Sequence, residues 1–289
     1  MKLQRKHINA FPGQFYRCKK GDNLNIKDKY NNLIDYLKSM DSLVVAFSGG
    51  VDSSFLLKAA KDALGERMVA FTMASPYHLQ WEIQEAVELA EKIGVRQVIK
   101  KEGIILPEIR NNPPDRCYLC KKSLFTEILK FAGEQGFKCV ADGTNADDTA
   151  DYRPGMKALK ELNIKSPLLE TGFTKEDIRT ISREIGLSTW SKPAYACLLS
   201  RIPYGQEIRI SDLRKIEKAE LYMLSLGFKT VRVRLHGGMA RIEVSAEERE
   251  KLLNSELLDK MAENMRNFGF QYATLDLQGY RMGSLNEGL

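Results

Sequence analysis

Apolar residues recur along the chain with two periods, and the alternation between them sets the expected architecture. Ile26, Tyr30, Leu33, Ile34 and Leu37 share one face at helical spacing and predict an amphipathic helix over Ile26–Ser39. Leu43–Phe47 is a short apolar run of strand length, and Phe55, Leu56, Leu57 and Ala60 then resume the helical period. Met68–Met73 predicts a second buried strand, a long helix follows from about His78 to Ile93 and stops at Gly94, and Val95–Lys100 predicts a third strand. After an irregular stretch, a helix near Lys121–Glu134 leads into a fourth strand at Lys138–Gly143. Strands separated by helices of this length predict an α/β fold: a parallel sheet with helices on both faces, its ligands beyond the carboxyl ends of the strands.

The pattern changes near Gln206. A helix opening at Ser211-Asp212-Leu213 carries the stripe Leu213, Ile216, Met223 and Leu224, and Glu220 falls inside it. A carboxylate aimed inward is either paired or functional. Thr230–Ser245 alternates strictly around a Gly237-Gly238 hairpin turn, a register that sets Arg234 opposite Arg241 and Arg232 opposite Glu243. Opposed arginines repel unless a carboxylate or phosphate lies between them, so this face is either solvated, with Glu243 relieving one arginine, or a site for a mononucleotide phosphate. Helices from about Ala246 and Leu257 and a last strand at Tyr272–Leu277 complete a smaller α+β unit. The expected division is a basic extension at 1–25, an α/β domain at 26–205 and a C-terminal α+β domain at 206–289.

Two loops that follow strands carry candidate chemistry. Ser48-Gly49-Gly50-Val51-Asp52-Ser53-Ser54 joins the first strand to its helix, and its glycines, serine hydroxyls and free first-turn N–H groups suit a polyphosphate. Asp52 would repel phosphates unless it caps the helix or holds Mg²⁺ against them. No Gly-Lys-Ser/Thr follows, so this is not a Walker loop, and a capped turn with no ligand is the plain alternative. The fourth strand runs into Asp142-Gly143-Thr144-Asn145-Ala146-Asp147-Asp148 at the same sheet edge, a segment whose residue types equally fit an Asx-rich turn.

Five cysteines, at positions 18, 117, 120, 139 and 197, are an odd number and favour thiol or metal chemistry over a disulfide framework. Cys117 and Cys120 form a Cys-x-x-Cys that chelates a metal, acts as a redox pair or does neither. Two thiolates cannot complete a tetrahedral site, and the histidines are only His7, His78 and His236, so a metal reading needs another thiolate. Cys197 is the candidate, in the loop-like Lys192–Gly205 between two prolines and close to Arg201; the alternative is a buried structural cysteine, which Cys139 fits within its strand. Cys18 sits in the extension as a bystander.

SGGVDSS resembles the pyrophosphate loop of the N-type ATP pyrophosphatases, which cleave ATP between its α and β phosphates and leave an adenylated substrate. DGTN resembles their second nucleotide-facing loop, which brings Gly143 and Asn145 into the nucleotide site. Together with KPxxACLxSRIPYG, RCYLCKK and LDLQGYRMGSLNE, these motifs resemble the LarE family, ATP-dependent sulfur transferases of nickel-pincer nucleotide cofactor synthesis, from about Ile26 to the C-terminus. The resemblance implies that Cys197 delivers sulfur, that Arg232 and Arg234 hold a substrate phosphate with Arg201 and Arg241 beside them, and that Glu220 has an active-site role. It implies two sources of sulfur. In the first, ranked above a Cys₃His zinc site, Cys117, Cys120 and Cys197 hold a [4Fe–4S] cluster whose open iron takes an additional sulfide; in the runner-up, Cys197 sacrifices its own sulfur and becomes dehydroalanine. The substrate is then a pyridinium biscarboxylate mononucleotide, and the C-terminal domain binds it and supports a homo-oligomer.

Charge narrows the partners. The net charge of +6 is carried by Lys2, Arg5, Lys6, Arg17, Lys19 and Lys20, which leaves the body of the chain balanced. That argues against nucleic acid, and so against a tRNA thiolation enzyme, which would bring a basic body and an RNA-binding module. A non-catalytic iron–sulfur or nucleotide sensor is the other competitor. No apolar run reaches membrane-spanning length and the first residues form no apolar leader, so a cytoplasmic protein with no membrane partner is expected.

Overall fold

Leu43, Val44 and Val45 are fully buried and form the centre of the sheet that organises the larger unit. In a computed structural model, residues 26–150, 155–193 and 196–281 are described; the basic extension with Cys18, and the C-terminal motif from Met282 onward, lie outside them. In chain order the elements are α1 (Ile26–Lys38), β1 (Leu43–Ala46), α2 (Val51–Leu64), β2 (Met68–Ala74), α3 (Gln80–Ile93) and β3 (Gln97–Lys101), then α4 (Arg116–Gln135) and β4 (Cys139–Ala141). They have the types and order that the apolar pattern predicts.

One boundary differs in a way that matters. The fourth helix opens at Arg116, five residues before the expected Lys121, because Pro113 and Asp115 carbonyls already accept the amides of Arg116, Tyr118 and Leu119. Prolines just ahead of a first turn cost nothing, since the N–H they lack would have had no partner there. Cys117 and Cys120 therefore ride on the start of a long helix and not on an irregular loop.

The four strands are all parallel, in the order β3-β2-β1-β4. The chain runs outward from β1 through β2 to β3, then crosses back to the far side of β1. Strand order thus reverses between β1 and β4, and a crevice opens there at the carboxyl ends. Successive β1 residues face opposite layers: Leu43 and Val45 pack with Leu33, Leu37 and Phe55, whereas Val44 packs with Phe71, Phe125 and Ile128. Helices α5 (Gly155–Glu161), α6 (Pro167–Glu170) and α7 (Lys175–Glu184) complete the layers.

The smaller unit comprises α8 (Ile210–Ser225), β5 (Val231–His236), β6 (Met239–Val244), α9 (Ser255–Asn267) and β7 (Tyr272–Leu275). β5 and β6 pair antiparallel in the expected register, with Arg234 opposite Arg241 and Arg232 opposite Glu243. β7 returns through α9 to lie parallel to β6, and Ala246–Leu253 is 3₁₀ instead of α-helical. Val231–Leu235 are all buried, so the solvated-face alternative for the arginines does not hold. This core also takes in Tyr77, Leu79 and Ile109 from the first sheet's loops and Leu198, Leu199 and Ile202 from the segment after Cys197. Each such side chain contributes about 1.5–3 kcal/mol on burial, which pins the cysteine-bearing loop to the second unit.

The two glycines of the first loop have separate reasons to be there. Gly49 has φ +73°, and an added Cβ would lie 2.8 Å from Cβ of Ala86 on α3. Gly50 has φ −77° and a Cβ there would meet only Ser48 Oγ at 3.4 Å. Gly49→Ala should therefore lose on the order of 3 kcal/mol of stability from strain and overpacking, whereas Gly50→Ala should stay within about 1 kcal/mol of the parent. Urea denaturation of the two variants checks this, and equal losses would refute it.

Candidate active site

The crevice between β1 and β4 is built from both loops. Ser53 Oγ donates to the Gly50 carbonyl at 3.2 Å and accepts from the Ser48 amide at 3.3 Å, which closes the Ser48 turn on itself. Gly50 caps α2 without any side-chain bond, so the first-turn N–H groups are left for a ligand. The second loop presses against this turn at Gly143, where an added Cβ would lie 3.0 Å from the Ser53 amide nitrogen. Between them lies a cavity of about 250 Å³ lined by Ser48, Gly50, Asp52 and Ser53 on one side and Asp142, Gly143, Thr144 and Asp148 on the other. Lys121, Leu124 and Phe125 of α4 form its third wall.

Asp52 does not cap the helix. Its Oδ2 lies 2.5 Å from Lys175 Nζ, and its Oδ1 is buried with no hydrogen-bond partner. An unpartnered carboxylate oxygen beside the cavity fits a divalent cation, the remaining alternative for this residue. Asp142 is buried, accepts from Ser166 Oγ at 2.7 Å and from Thr144 Oγ1, and has Lys121 Nζ at 3.6 Å. Three expected nucleotide-site residues do not line the cavity: Gly49 faces α3, Ser54 is fully buried, and the Asn145 side chain is spent on an Asx turn to the Asp147 amide at 2.9 Å.

α4 joins this cavity to the thiols, since Cys117 lies one helical turn from Lys121 and Cys120 is its neighbour. Tyr77, in the loop after β2, joins the cysteine loop through its carbonyl, which accepts the Leu198 amide at 3.0 Å, and packs in the same core as Cys120 and Cys197. Burial pushes the Cys120 thiol up to about 12, with the charges of Cys197 and Cys117 adding to it, and burial and Cys197 likewise raise Cys117. Cys197 thus acts on both thiols of α4. The three sulfurs are not drawn in to ligand spacing: among the described residues no three His, Cys, Asp or Glu side chains form a group able to hold a metal ion. None of the three cysteines lines the nucleotide cavity. Cys139 is half-buried in β4, as expected.

Beneath the Cys197 loop lies a buried charge network. Arg201 has no exposed surface, and all three guanidinium nitrogens are engaged. Nε and Nη2 donate to the Glu220 carboxylate at 2.8 and 2.9 Å, and Nη1 donates to the carbonyls of Ala196 and Cys197 at 2.7 and 3.1 Å. Glu220 also accepts the Val233 amide at 3.0 Å, so the inward carboxylate is a paired one that ties the loop to β5. Arg234 is held by both oxygens of Glu243 and donates Nη1 to the Ser200 carbonyl at 2.7 Å. Arg241 shares Glu243 at 3.0 Å and has Asp276 at 3.5 Å. The anion that the opposed arginines require is therefore already supplied by Glu243. Arg232 lies with its guanidinium 5.1 Å from the Tyr280 ring centre and donates to the Val231 carbonyl.

Some contributors were not singled out by sequence. Lys175 sits at the start of α7, and its only signal was Thr174-Lys175-Glu176-Asp177, a capping box. Lys192 bonds the Gly49 carbonyl at 3.3 Å and Glu85 at 2.7 Å, which links the Cys197 segment to the first loop. Glu82 on α3 has its carboxyl pushed up to about 7 by burial, against the opposing pull of Lys192, Arg201 and Arg232. Its helical spacing alone gave no sign of that.

The NAD synthase family model matches residues 25–107, the stretch that contains the Ser48 turn. An uncharacterized protein of Synechocystis sp. is 40% identical over 265 residues, covering 91% of this chain and 99% of that protein. The pyridinium-3,5-bisthiocarboxylic acid mononucleotide synthase of Lactiplantibacillus plantarum is 38% identical over 265 residues, 90% of this chain and 95% of the synthase. The chain belongs to the LarE family. A tRNA-specific 2-thiouridylase of Zymomonas mobilis is more distant, 32% identical over 62% of this chain and 58% of that enzyme. The parallel sheet, the reversal at β1 and β4 and the Ser48 turn place the LarE-family chain among ATP-using enzymes of the PP-loop type. Among the described residues no helix is long and apolar enough to cross a membrane.

Two stability outcomes follow for this LarE-family chain. Glu220→Ala leaves Arg201 charged in the interior and should cost about 3–5 kcal/mol, read by denaturant unfolding; a loss below 1 kcal/mol would show that the pair is dispensable. His78, whose Nδ1 lies 2.9 Å from Ser75 Oγ, is lowered by burial from 6.5 to about 4. The unfolded chain then binds the extra proton between those values, so native stability falls as pH drops from 6.5 towards 4, by on the order of 3 kcal/mol. His78→Asn should remove that part of the decline, seen as a converging difference between the two stability–pH curves.

Proposed function

We propose that this chain is an ATP-dependent sulfur transferase that converts a carboxylate of a pyridinium biscarboxylate mononucleotide to a thiocarboxylate. The observation that carries the reading is the course of α4, which brings Cys117 and Cys120 to one end of the wall whose next turn, at Lys121, Leu124 and Phe125, lines the polyphosphate crevice. The Lactiplantibacillus synthase, alike over nearly its whole length, is named for a bisthiocarboxylic product of this kind.

The polyphosphate of ATP lies on the Ser48–Ser54 turn, against the uncapped start of α2. Asp52 has the free oxygen to hold Mg²⁺, and Lys175 stands beside it to meet the phosphate charge. A substrate carboxylate attacks the α phosphorus and releases pyrophosphate; the acyl-adenylate that results has AMP as a good leaving group, which a free carboxylate lacks. The sulfur of Cys197 is the nucleophile this chain positions for the acyl carbon, on a loop fixed by Arg201 and by Leu198, Leu199 and Ile202. Loss of AMP leaves a thioester on Cys197; removal of the cysteine Cα proton by a base then breaks the Cβ–S bond, which releases the thiocarboxylate and leaves dehydroalanine. A [4Fe–4S] cluster on Cys117, Cys120 and Cys197 would instead supply an open iron for an additional sulfide and spare the cysteine. The three thiols are the right donors for it, but their spacing would have to close before they held it. Arg232, Arg234 and Arg241 grip the substrate phosphate in this reading, Arg234 by exchanging Glu243 for it.

Thiolation of tRNA is the second reading, favoured by the likeness to the Zymomonas thiouridylase. The two separate on substrate: pyrophosphate release should depend on the carboxylated pyridinium nucleotide and be indifferent to tRNA, and the reverse dependence would sink the proposal. Cys197→Ala should abolish thiocarboxylate formation with either sulfur source. A Cys117→Ala, Cys120→Ala double variant should lose multiple turnover only if a cluster forms, and anaerobic purification followed by iron and acid-labile sulfide analysis decides that point directly.

A further inference from the structure

Arg116 opens α4, immediately before Cys117, and nothing in the proposed reaction uses it. It is only 4% exposed, yet its Nε and Nη1 are buried without any hydrogen-bond partner. Among the described residues no carboxylate pairs with it. Its guanidinium carbon sits 4.4 Å from the centre of the Tyr204 ring. That wall is rigid: Asn112, itself fully buried, donates Nδ2 to the Ile202 and Pro203 carbonyls at 2.7 and 3.0 Å and so fixes the backbone leading into Tyr204.

An unpaired guanidinium in an interior is costly, and it differs in this from Arg201 and Arg234, which have their carboxylates. A trapped water would satisfy its N–H groups and leave its charge uncompensated. The charge is felt at both neighbouring sulfurs, where Arg116 opposes the effect of burial on Cys117 and Cys120. The guanidinium is a buried positive charge one residue from Cys117 and one helical turn from Cys120, and Cys117 itself reaches solvent, so the place suits a small monoanion.

We propose that Arg116 anchors a small, singly charged sulfur anion of the hydrosulfide type beside Cys117 and Cys120. That the anion carries sulfur rests on the sulfur-transfer reading; the anion site itself does not. As a positioning residue, Arg116 would hold the incoming sulfur next to the thiols without reacting.

The test uses the full chain and two alkylating reagents that differ in charge, iodoacetate and iodoacetamide, with rates at each cysteine read by mass spectrometry. Solvent reaches Cys117, and Cys139 serves as an internal control. The iodoacetate-to-iodoacetamide rate ratio should be about tenfold higher at Cys117 than at Cys139, as expected for a charge-assisted contact to the reagent's carboxylate. Arg116→Gln should bring the two ratios together with the far-UV spectrum unchanged, and Arg116→Lys should keep part of the preference. Thiocyanate, a singly charged sulfur anion, should protect Cys117 from iodoacetate better than chloride at equal ionic strength. Equal ratios at the two cysteines in the parent chain, or a preference that survives Arg116→Gln, would overturn the site; thiocyanate no better than chloride would overturn its assignment to sulfur. Because no turnover is measured, a chain with the preference but without pyrophosphate release would count against the proposed function alone.

Discussion

The buried pair between Arg201 and Glu220 is the constraint from which the reactive end of the molecule follows. Two charges removed from water are held only when they are well paired and further hydrogen-bonded, and here they are: beyond their two mutual bonds, the guanidinium spends Nη1 on the carbonyls of Ala196 and Cys197, and the carboxylate accepts the Val233 amide. The pair therefore fixes three things at once, the backbone beside Cys197, the helix α8 and the strand β5. Such a network adds little net stability over an apolar core of the same shape. What it supplies is a single arrangement, because any shift of the loop strands a charge.

The sheet supplies the other half of the geometry. Since strand order reverses at β1, the loops after β1 and β4 converge with no insertion needed, and Gly143 allows them to touch. The loop after β2 leaves the same edge and carries Tyr77 towards the C-terminal core, where its backbone meets Leu198. The nucleotide crevice and the cysteine loop are thus neighbours as a consequence of topology, and α4 lies across both.

Much of this could be read from the chain. The Ser48 turn, the alternation of strands and helices, the hairpin register and the inward Glu220 all follow from local pattern, because each is set by residues close together in sequence. Side-chain pairing was less legible. Arg234 and Arg241 faced each other in the predicted register, but only packing reveals that Glu243 sits between them, and only packing reveals that Arg201 is consumed by Glu220. Asn145 and Ser54 carry the residue types of a nucleotide loop, yet their side chains turn into the protein. The early start of α4 was signalled by Pro113-Pro114-Asp115, a helix-opening pattern that the apolar period alone passes over. Tyr77 had no local signal, since its importance lies in contacts with residues far along the chain, and Lys192 was marked only as the first residue of its motif.

The cations around the crevice share a common state. Lys175 is paired with Asp52, Lys121 lies near Asp142, and Lys192 is paired with Glu85. In the second unit Arg234 is paired with Glu243 in the same way. Under the proposed function each ligand would enter by exchanging partners: Mg²⁺ takes the Asp52 carboxylate as Lys175 turns to phosphate, and the substrate phosphate displaces Glu243. An exchange of this kind keeps each of these charges compensated before and after binding, while several positive charges become available to the ligand. Arg116 stands apart from that scheme. Among the described residues no carboxylate pairs with it, and in the proposed anion site its counter-charge arrives with the sulfur.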